Sequence, residues 1–495
     1  MHDGLIIDCF AGGGGASVGI EMALGRSVDI AINHDEQAIK MHKVNHPNTI
    51  HLTEDIFTVD LKKYVGDRTV ELMWASPDCT QFSKAKGGKP REQGIRMLPW
   101  AVYKHAKEIL PNVIIMENVE EIQQWGPLDE NGYPIKEDVG KEYQRFINHM
   151  MSLGYAFDCR ELVAADYGAP TTRKRWYAIF RRDGRQIKFP AETHSRYGEM
   201  VGLKQWEQCG DYIDWSDLGT SIFDRKKPLA EKTQRRIAFG IKKFILDNDN
   251  PYVVKDDRAL AFMIQYHSET KNEDARGQNL TEPIKTIDTS NRYGLVTAFI
   301  TKFYSCGTGQ GCDEPLHTIT TSAGHFGAVS CCLVKYYNDP ETNNQGLDKP
   351  IDTIVTKDRF GLVSAFLIQY YGRDDAAISA GDPLYTITTK DRFGLVGVLV
   401  DIKGEKYVIA DIFLRMLKPE ELKVLQGFPK DYIIDRDIDY KPYPKTEQVA
   451  RIGNSVVPVM AKALVEANCP YLKVGDRVNN FNLEDEQNGQ IRMVV

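Results

Sequence analysis

Leu5-Ile6-Ile7-Asp8-Cys9-Phe10-Ala11-Gly12-Gly13-Gly14-Gly15-Ala16-Ser17 is the stretch that decides the fold. Its apolar first half reads as a short buried strand, and Val18–Leu24 as the start of a helix. Strand, glycine turn and helix make the entrance to a Rossmann-like nucleotide site. Glycines let the backbone approach a ligand, and the helix N-terminus supplies free N–H groups. The run is not GxGxxG and no Lys-Ser/Thr follows it, which disfavours a dinucleotide phosphate site and a P-loop. A tight glycine turn without a phosphate clamp fits S-adenosylmethionine better. A tight strand–helix turn with no ligand is the alternative, although four consecutive glycines carry an entropic cost that needs a reason.

The segments that follow keep the same rhythm. Val28–Ile32 reads as a second strand ending in Asn33-His34-Asp35-Glu36, where polar side chains usually meet ribose hydroxyls. A helix over Asp35–Asn45 stops at His46-Pro47. Thr53-Glu54-Asp55-Ile56 places an acid at the end of a third strand; Asp55 either accepts from an adenine amino group or caps a turn. A fourth strand (Val70, Leu72, Met73, Trp74, Ala75) ends in Ser76-Pro77-Asp78-Cys79, and a Lys/Gly-rich segment from Ser83 to Pro90 follows. A thiol at the C-terminal end of a buried strand suits a nucleophile, but a free cysteine also packs as a small hydrophobe. After a helix over Leu98–Ile109, the apolar run from Val113 ends in Glu117-Asn118-Val119. A carboxylate there would be partly desolvated and able to hold a proton on the same rim as Cys79, or would serve as a cap or ion-pair partner. Arg173 and Arg175, two apart in a turn feeding a strand, share one face; they suit a phosphate and a base carbonyl, or are solvated.

Six motifs in order carry a family resemblance: Asp8–Gly15, Pro77-Asp78-Cys79, Glu117-Asn118-Val119, Gly168–Arg175, Arg415–Pro429 and Ile452-Gly453-Asn454-Ser455-Val456-Val457-Pro458. Together they resemble the DNA cytosine C5-methyltransferase family, over roughly residues 4–195 and 410–470. The resemblance implies an α/β, Rossmann-like S-adenosylmethionine-dependent methyltransferase domain with an inserted β-rich target recognition domain. It implies that a helix around Val456–Ala467 returns to pack beside the first motif. The cofactor is implied to touch Phe10, Gly12, Gly13, Gly14, Gly15, Asn33, Asp35, Asp55, Pro77 and Asn454. Cys79, Glu117, Arg173 and Arg175 are implied to be catalytic, acting on a cytosine flipped out of duplex DNA, with Ser83, Lys84 and Lys86 on the loop that would close over it. Four positions depart from the family pattern: Asp78 beside the cysteine, Asn33 in place of an acid, Thr171 before the arginine pair and Val457 in the C-terminal motif. They suggest a divergent, phage- or prophage-like subgroup. A tRNA cytosine methyltransferase and a DNA-binding protein that has lost catalysis are the rival readings; the large region over 196–400 argues against the first.

That region contains an internal repeat. Pro283, Pro315, Pro350 and Pro383 open four units of the form Pro-apolar-x-Thr-Ile, each preceded by an apolar, Tyr-rich strand such as Ala365–Tyr371, at a period of about 33 residues. The expected organisation is a first catalytic part over 1–195, a connector over 196–260, a β-rich recognition domain over 261–400, a returning catalytic part over 401–472 and a tail over 473–495. Equivalent repeat positions Arg292, His325, Arg359 and Arg392 are candidate DNA contacts, or repeated turn chemistry. Cys306, Cys312, His317, Cys331 and Cys332 fit no zinc spacing, so no metal is expected.

Net charge is −7, from 62 basic and 69 acidic residues, which argues mildly against nucleic acid. Basic residues nevertheless crowd into Arg173–Lys188 and Arg225–Lys243, so an acidic chain can still present a basic cleft. There is no apolar run of the ~18 residues a membrane span needs. The strand begins almost at Met1, and nine cysteines form no CxxC pair, so a cytoplasmic protein of bacterial or phage origin is expected. Double-stranded DNA and a cognate restriction endonuclease are the expected partners, and a monomer the expected state.

Overall fold

The computed structural model describes residues 4–78, 82, 93–248, 251–254, 259–266, 277–302, 329–335, 344–346, 360–369, 393–395, 399–402 and 405–474. The chain divides into two compact units, one of Met1–Asp214, Leu280–Asn291 and Leu417–Val495, the other of Trp215–Asn279 and Arg292–Met416.

The first unit is built on β1 (Leu5–Cys9), β2 (Ile30–Ile32), β3 (Ile50–Leu52), β4 (Val70–Ala75), β5 (Val113–Asn118), β6 (Ala156–Val163) and β7 (Lys174–Arg181). Their order across the sheet is β3-β2-β1-β4-β5-β7-β6. The first five are parallel; β7 runs antiparallel to both β5 and β6. Helices α1 (Gly15–Leu24), α2 (Glu36–Asn45), α3 (Leu61–Val65), α4 (Gln93–Arg96), α5 (Leu98–Ile109) and α6 (Lys141–Ser152) complete this part. This is the Rossmann-like methyltransferase arrangement, with chain direction reversing only at β7.

β1, β4 and β5 read as nearly unbroken apolar runs because both faces of the sheet are covered. On one face Ile7, Met73, Ile114 and Met116 pack with Ala101, Val102 and Ala106 of α5 and Phe146 and Met150 of α6. On the other, Ile6, Leu72, Trp74 and Ile115 pack with Ile20, Ala23 and Leu24 of α1 and with Met460, Leu464 and Val465 of the C-terminal helix Pro458–Asn468. That last helix therefore closes the layer beside α1, although more than 400 residues separate them in sequence. A Cβ on Gly19 would lie 2.2 Å from the Pro458 carbonyl and 2.6 Å from the Ala461 Cβ, so glycine is what permits the approach.

The second unit is β-rich. One antiparallel sheet joins Thr220–Ser221, Glu405–Met416, Tyr293–Lys302, Ala259–Gln265 and Gly277–Asn279 in that order, with Leu399–Ile402 also on Glu405–Met416. The helix Glu231–Ile241 covers it through Ile237 and Ile241 on Leu260, Phe262 and Ile264. A second sheet joins Asn344–Gly346, Val329–Lys335, Phe360–Gln369 and Phe393–Leu395. Tyr293, Phe360 and Phe393 hold the same place in the sequence repeat, and each begins a strand. The first repeat is divided, however: Pro283–Asn291 belongs to the first unit, where Ile284 pairs with Thr171. No helix among the described residues is long and apolar enough to cross a membrane.

Candidate active site

Adjacency of β1, β4 and β5 brings three strand ends to one rim. The Ser76 N–H donates to the Cys9 carbonyl at 3.3 Å, so the turn after β4 is fastened to the turn after β1. Glu117 closes β5 and is buried at 7% exposure. Arg175, near the start of β7, places its Nε 3.2 Å from Glu117 Oε1. Neither atom makes an aligned hydrogen bond, so this is a buried charge contact whose directional bonding capacity is unused.

Asn118 is a residue whose role the sequence reading missed. It is fully buried, its Nδ2 donates to the Pro77 carbonyl at 3.0 Å, and its Oδ1 accepts from the Val119 N–H at 2.9 Å. It thus ties the turn that leads into Cys79 to the strand that carries Glu117. Asp78 is exposed. Cys79, Ser83, Lys84, Lys86, His325, Arg359 and Arg392 lie outside the described residues, as do Cys306, Cys312 and His317. Among the described residues, no group of three His, Cys, Asp or Glu could hold a metal ion.

Arg173 and Arg175 take different partners. The strand begins only at Lys174, and Arg173 precedes it. The Arg173 side chain is buried, its Nη1 donating to the carbonyls of Gly453 (2.9 Å) and Ile287 (3.2 Å). It joins three separate stretches of the first unit, whereas the Arg175 guanidinium lies against Glu117. Arg292 is half-buried, with Nη1 3.5 Å from the Tyr266 carbonyl.

The glycine turn also divides by role. Phe10, Gly12 and Gly14 all have left-handed φ (66°, 50° and 85°), and for Phe10 this is a strained conformation. A Cβ on Gly13 would meet Ser455 Oγ at 2.8 Å, one on Gly14 the Tyr432 hydroxyl at 2.1 Å, and one on Gly15 the Val456 carbonyl at 2.1 Å. Those three glycines admit the returning C-terminal segment. Among the described residues, Gly12 is the position of the four where an added Cβ would meet only the Phe10 carbonyl, at 3.7 Å.

Asp35 caps α2, its Oδ1 accepting from the N–H groups of Gln37 and Ala38, while its Oδ2 accepts from Arg451 Nη1 at 2.9 Å. Partial burial would raise this carboxyl, but Arg451 and the two cap bonds outweigh it and hold it below the usual range. Asn33 Oδ1 accepts from the Asp35 N–H at 2.9 Å. Asp55 is exposed and its Oδ1 accepts from the Phe57 N–H at 2.7 Å, the turn-capping geometry. Asn454 is exposed at the end of the helix Lys445–Asn454.

Behind the glycine turn runs a buried polar chain. Ser17 Oγ donates to Asp8 Oδ2 at 2.7 Å, His42 Nε2 lies 2.9 Å from Ser17 Oγ, and His42 Nδ1 lies 2.9 Å from His51 Nε2. The Tyr432 hydroxyl closes the back by donating to the Gly13 carbonyl at 2.8 Å. Burial pushes Asp8 up to about 7. It holds His42 well below its ordinary value and His51 down to about 4. A carboxylate inside an apolar strand and three histidines within ten residues were the sequence signals for this chain.

Residues 5–298 match the family model for C-5 cytosine-specific DNA methylase. The chain is 31% identical over 222 residues to the Type II methyltransferase M.AgeI of Thalassovita gelatinovora, covering 44% of this chain and 48% of that one. It is 28% identical over 227 residues to the Type II methyltransferase M.AquIA of Picosynechococcus, covering 42% of this chain and 87% of that one. M1.HphI of Haemophilus parahaemolyticus is 28% identical over 204 residues, 40% of this chain and 51% of that one. The match thus spans about half the length of M.AgeI and of M1.HphI. With more than half of its residues inside the family model, this chain belongs to the C-5 cytosine-specific DNA methylase family.

Proposed function

We propose that this protein methylates C5 of a cytosine in a specific duplex DNA sequence, with Cys79 as nucleophile and S-adenosylmethionine as methyl donor. The observation that carries the reading is the buried Glu117–Arg175 contact, 3.2 Å, beside the turn that leads into Cys79. A carboxyl and a guanidinium held side by side match the N3/amino edge and the O2 of one cytosine ring. In this reading the Cys79 thiolate adds to C6, and negative charge that builds on N3 and O2 is met by a proton held on Glu117 and by Arg175. The addition makes C5 electron-rich enough to take up the methyl group, and once C5 carries it, loss of the C5 proton to solvent expels Cys79. Because C6 is unreachable inside a stacked duplex, the base must leave the helix.

The residues present fit the cofactor. Gly12 has a left-handed φ and, among the described residues, room for an added Cβ; Phe10 is strained beside it, and the N-terminus of α1 follows. When bound, S-adenosylmethionine supplies an electrophilic methyl group on a sulfonium. Phe10, Gly12, Asn33, Asp35, Pro77 and Asn454 would hold it, with Arg451 fixing Asp35. Asp55 is kept for the adenine end. Arg173 acts as a brace in this reading. The second, β-rich unit would read the target sequence. The names of the relatives suggest a Type II setting with a cognate endonuclease.

The test is transfer of labelled methyl from S-adenosylmethionine to duplex DNA and to tRNA by the parent and by Cys79→Ala. Transfer to DNA by the parent alone is expected. Equal transfer by the variant contradicts the mechanism, and transfer to tRNA alone contradicts the substrate.

A further inference from the structure

Asp8, Ser17, His42 and His51 form a continuous file through the first unit. Asp8 lies on β1, Ser17 in the first turn of α1, His42 on α2 and His51 on β3. The first three have no exposed surface. His51 is half-buried on the edge strand of the sheet, where the file reaches solvent. The links are 2.7 Å from Ser17 Oγ to Asp8 Oδ2, 2.9 Å from Ser17 Oγ to His42 Nε2 and 2.9 Å from His42 Nδ1 to His51 Nε2. Each member is a carboxyl, a hydroxyl or an imidazole, and each can give or take a proton. No amide or cation stands in the file to fix the direction of its bonds.

Two arrangements therefore fit the same distances. With Asp8 ionised, His51 Nε2–H donates to His42 Nδ1, His42 Nε2–H to Ser17 Oγ, and the Ser17 hydroxyl to Asp8 Oδ2. With Asp8 protonated every bond reverses, and both rings carry their proton on Nδ1. Passing from the second arrangement to the first moves one proton along each link and one from His51 Nδ1 to solvent. Both rings end neutral, with their tautomers exchanged. The neighbours leave this file in charge. Tyr432, facing Asp8 from the returning segment, is a phenol pushed up by burial, as is the adjoining Cys9 thiol. His46 stacks on His42 with centroids 4.5 Å apart, and its Nδ1 lies 3.0 Å from Glu21 Oε2. Lys43 and the Thr49 backbone are the other groups set against His51.

We infer that Asp8, Ser17, His42 and His51 form a proton relay, through which the carboxyl behind the glycine turn releases its proton to solvent when the cationic methyl donor binds. The coupling rests on S-adenosylmethionine as the cofactor of the proposed reaction. Asp8 stands two residues before Phe10, and Ser17 follows the four glycines by two. A carboxylate buried there is penalised while the turn is empty, and a positive charge brought to the turn removes part of that penalty. S-adenosylhomocysteine carries the same amino-acid and nucleoside groups with a neutral sulfur, so it lacks this effect.

Two measurements on the full-length protein test the inference. The first follows the ring nitrogens of His42 and His51 by nuclear magnetic resonance of protein labelled with [15N]histidine. The range from about pH 5.5 to about pH 8.5 spans the Asp8 value of about 7 and stays above the His51 value of about 4. Across it the proton on both rings is expected to move from Nδ1 to Nε2, and to stay in place in Asp8→Asn and in Ser17→Ala. If Asp8→Asn loses its cooperative unfolding transition, Ser17→Ala decides alone. Rings that keep one tautomer in the parent overturn the relay, as does an exchange that survives in the variants. The second is binding calorimetry at about pH 7 in buffers of different ionisation enthalpy. A tenfold gain in Asp8 acidity releases about 0.4 proton per molecule bound, so S-adenosylmethionine is expected to release about that much more than S-adenosylhomocysteine, and equal release is expected with Asp8→Asn. Equal release by the parent overturns the coupling. Failure of the parent to bind either compound overturns the cofactor assignment with it, and the tautomer exchange still decides the relay.

Discussion

Replacing Asp8 by asparagine tests the buried chain behind the glycine turn. Burial raises the Asp8 carboxyl from an ordinary 3.8 to about 7, with the Ser17 hydrogen bond opposing it. Below pH 3.8 the group is protonated whether the chain is folded or not, and above about 7 it is ionised in both states. Between those limits the folded form holds a proton that the unfolded form has lost. The stability gained from the buried neutral acid is therefore present at low pH and disappears as pH rises through 7. At ~1.4 kcal/mol per pH unit, ionising Asp8 within the fold costs on the order of 4 kcal/mol. His42 and His51 contribute with the opposite sign, since both are depressed and lose stability as pH falls. Comparing Asp8→Asn with the parent cancels the histidine contributions. The substituted amide cannot ionise, so the variant's stability relative to the parent should rise by about 3 kcal/mol between about pH 4.5 and about pH 8. Any fixed cost of the amide is the same at both. Urea unfolding followed by tryptophan emission reads this directly, because Trp74 and Trp176 are fully buried on the sheet of the first unit. A variant-minus-parent difference that stays flat across that range would refute a buried, neutral Asp8.

Two further substitutions probe packing and charge. Gly19→Ala puts a methyl 2.2 Å from a backbone carbonyl in the helix Pro458–Asn468, so a loss of about 1–3 kcal/mol is expected in urea unfolding. Gly94→Ala, with nothing within 4 Å among the described residues, is its near-neutral control. Glu117→Gln keeps the shape of the side chain and removes the charge beside Arg175. Methyl transfer should fall about 100-fold or more while DNA binding persists, and unchanged turnover would remove Glu117 from the chemistry.

Much of the sheet was legible because its strands are buried on both faces, and unbroken apolar runs followed by glycine, Ser-Pro-Asp or Glu-Asn turns mark where each one ends. The pairing of Glu117 with Arg175 was legible as two candidates on one rim, but not as a contact, because register between β5 and β7 depends on the antiparallel reversal. For Arg173 the sequence carried no sign of its partners, the carbonyls of Ile287 and Gly453, because both lie more than 100 residues away along the chain. The four glycines looked like a single ligand-binding feature. Three of them also make room for Tyr432, Ser455 and Val456, which the chain supplies more than 400 residues later. No local pattern carries that information. Asn118 was hidden for a related reason: its partner is the carbonyl of Pro77, in the turn after a neighbouring strand. In the second unit the repeat announced β-rich structure, but not that strands begin at Tyr293, Phe360 and Phe393, nor that the first repeat is shared between the two units.

The central claim is that Cys79 attacks a cytosine. The direct measurement is mass spectrometry of the protein after incubation with S-adenosylmethionine and duplex DNA carrying 5-fluorocytosine at the methylated position. The account predicts a covalent protein–DNA species whose proteolysis maps the linkage to the peptide containing Cys79, and none with Cys79→Ala. An adduct on another residue, or methylation of normal DNA by Cys79→Ala at the parent rate, would contradict it.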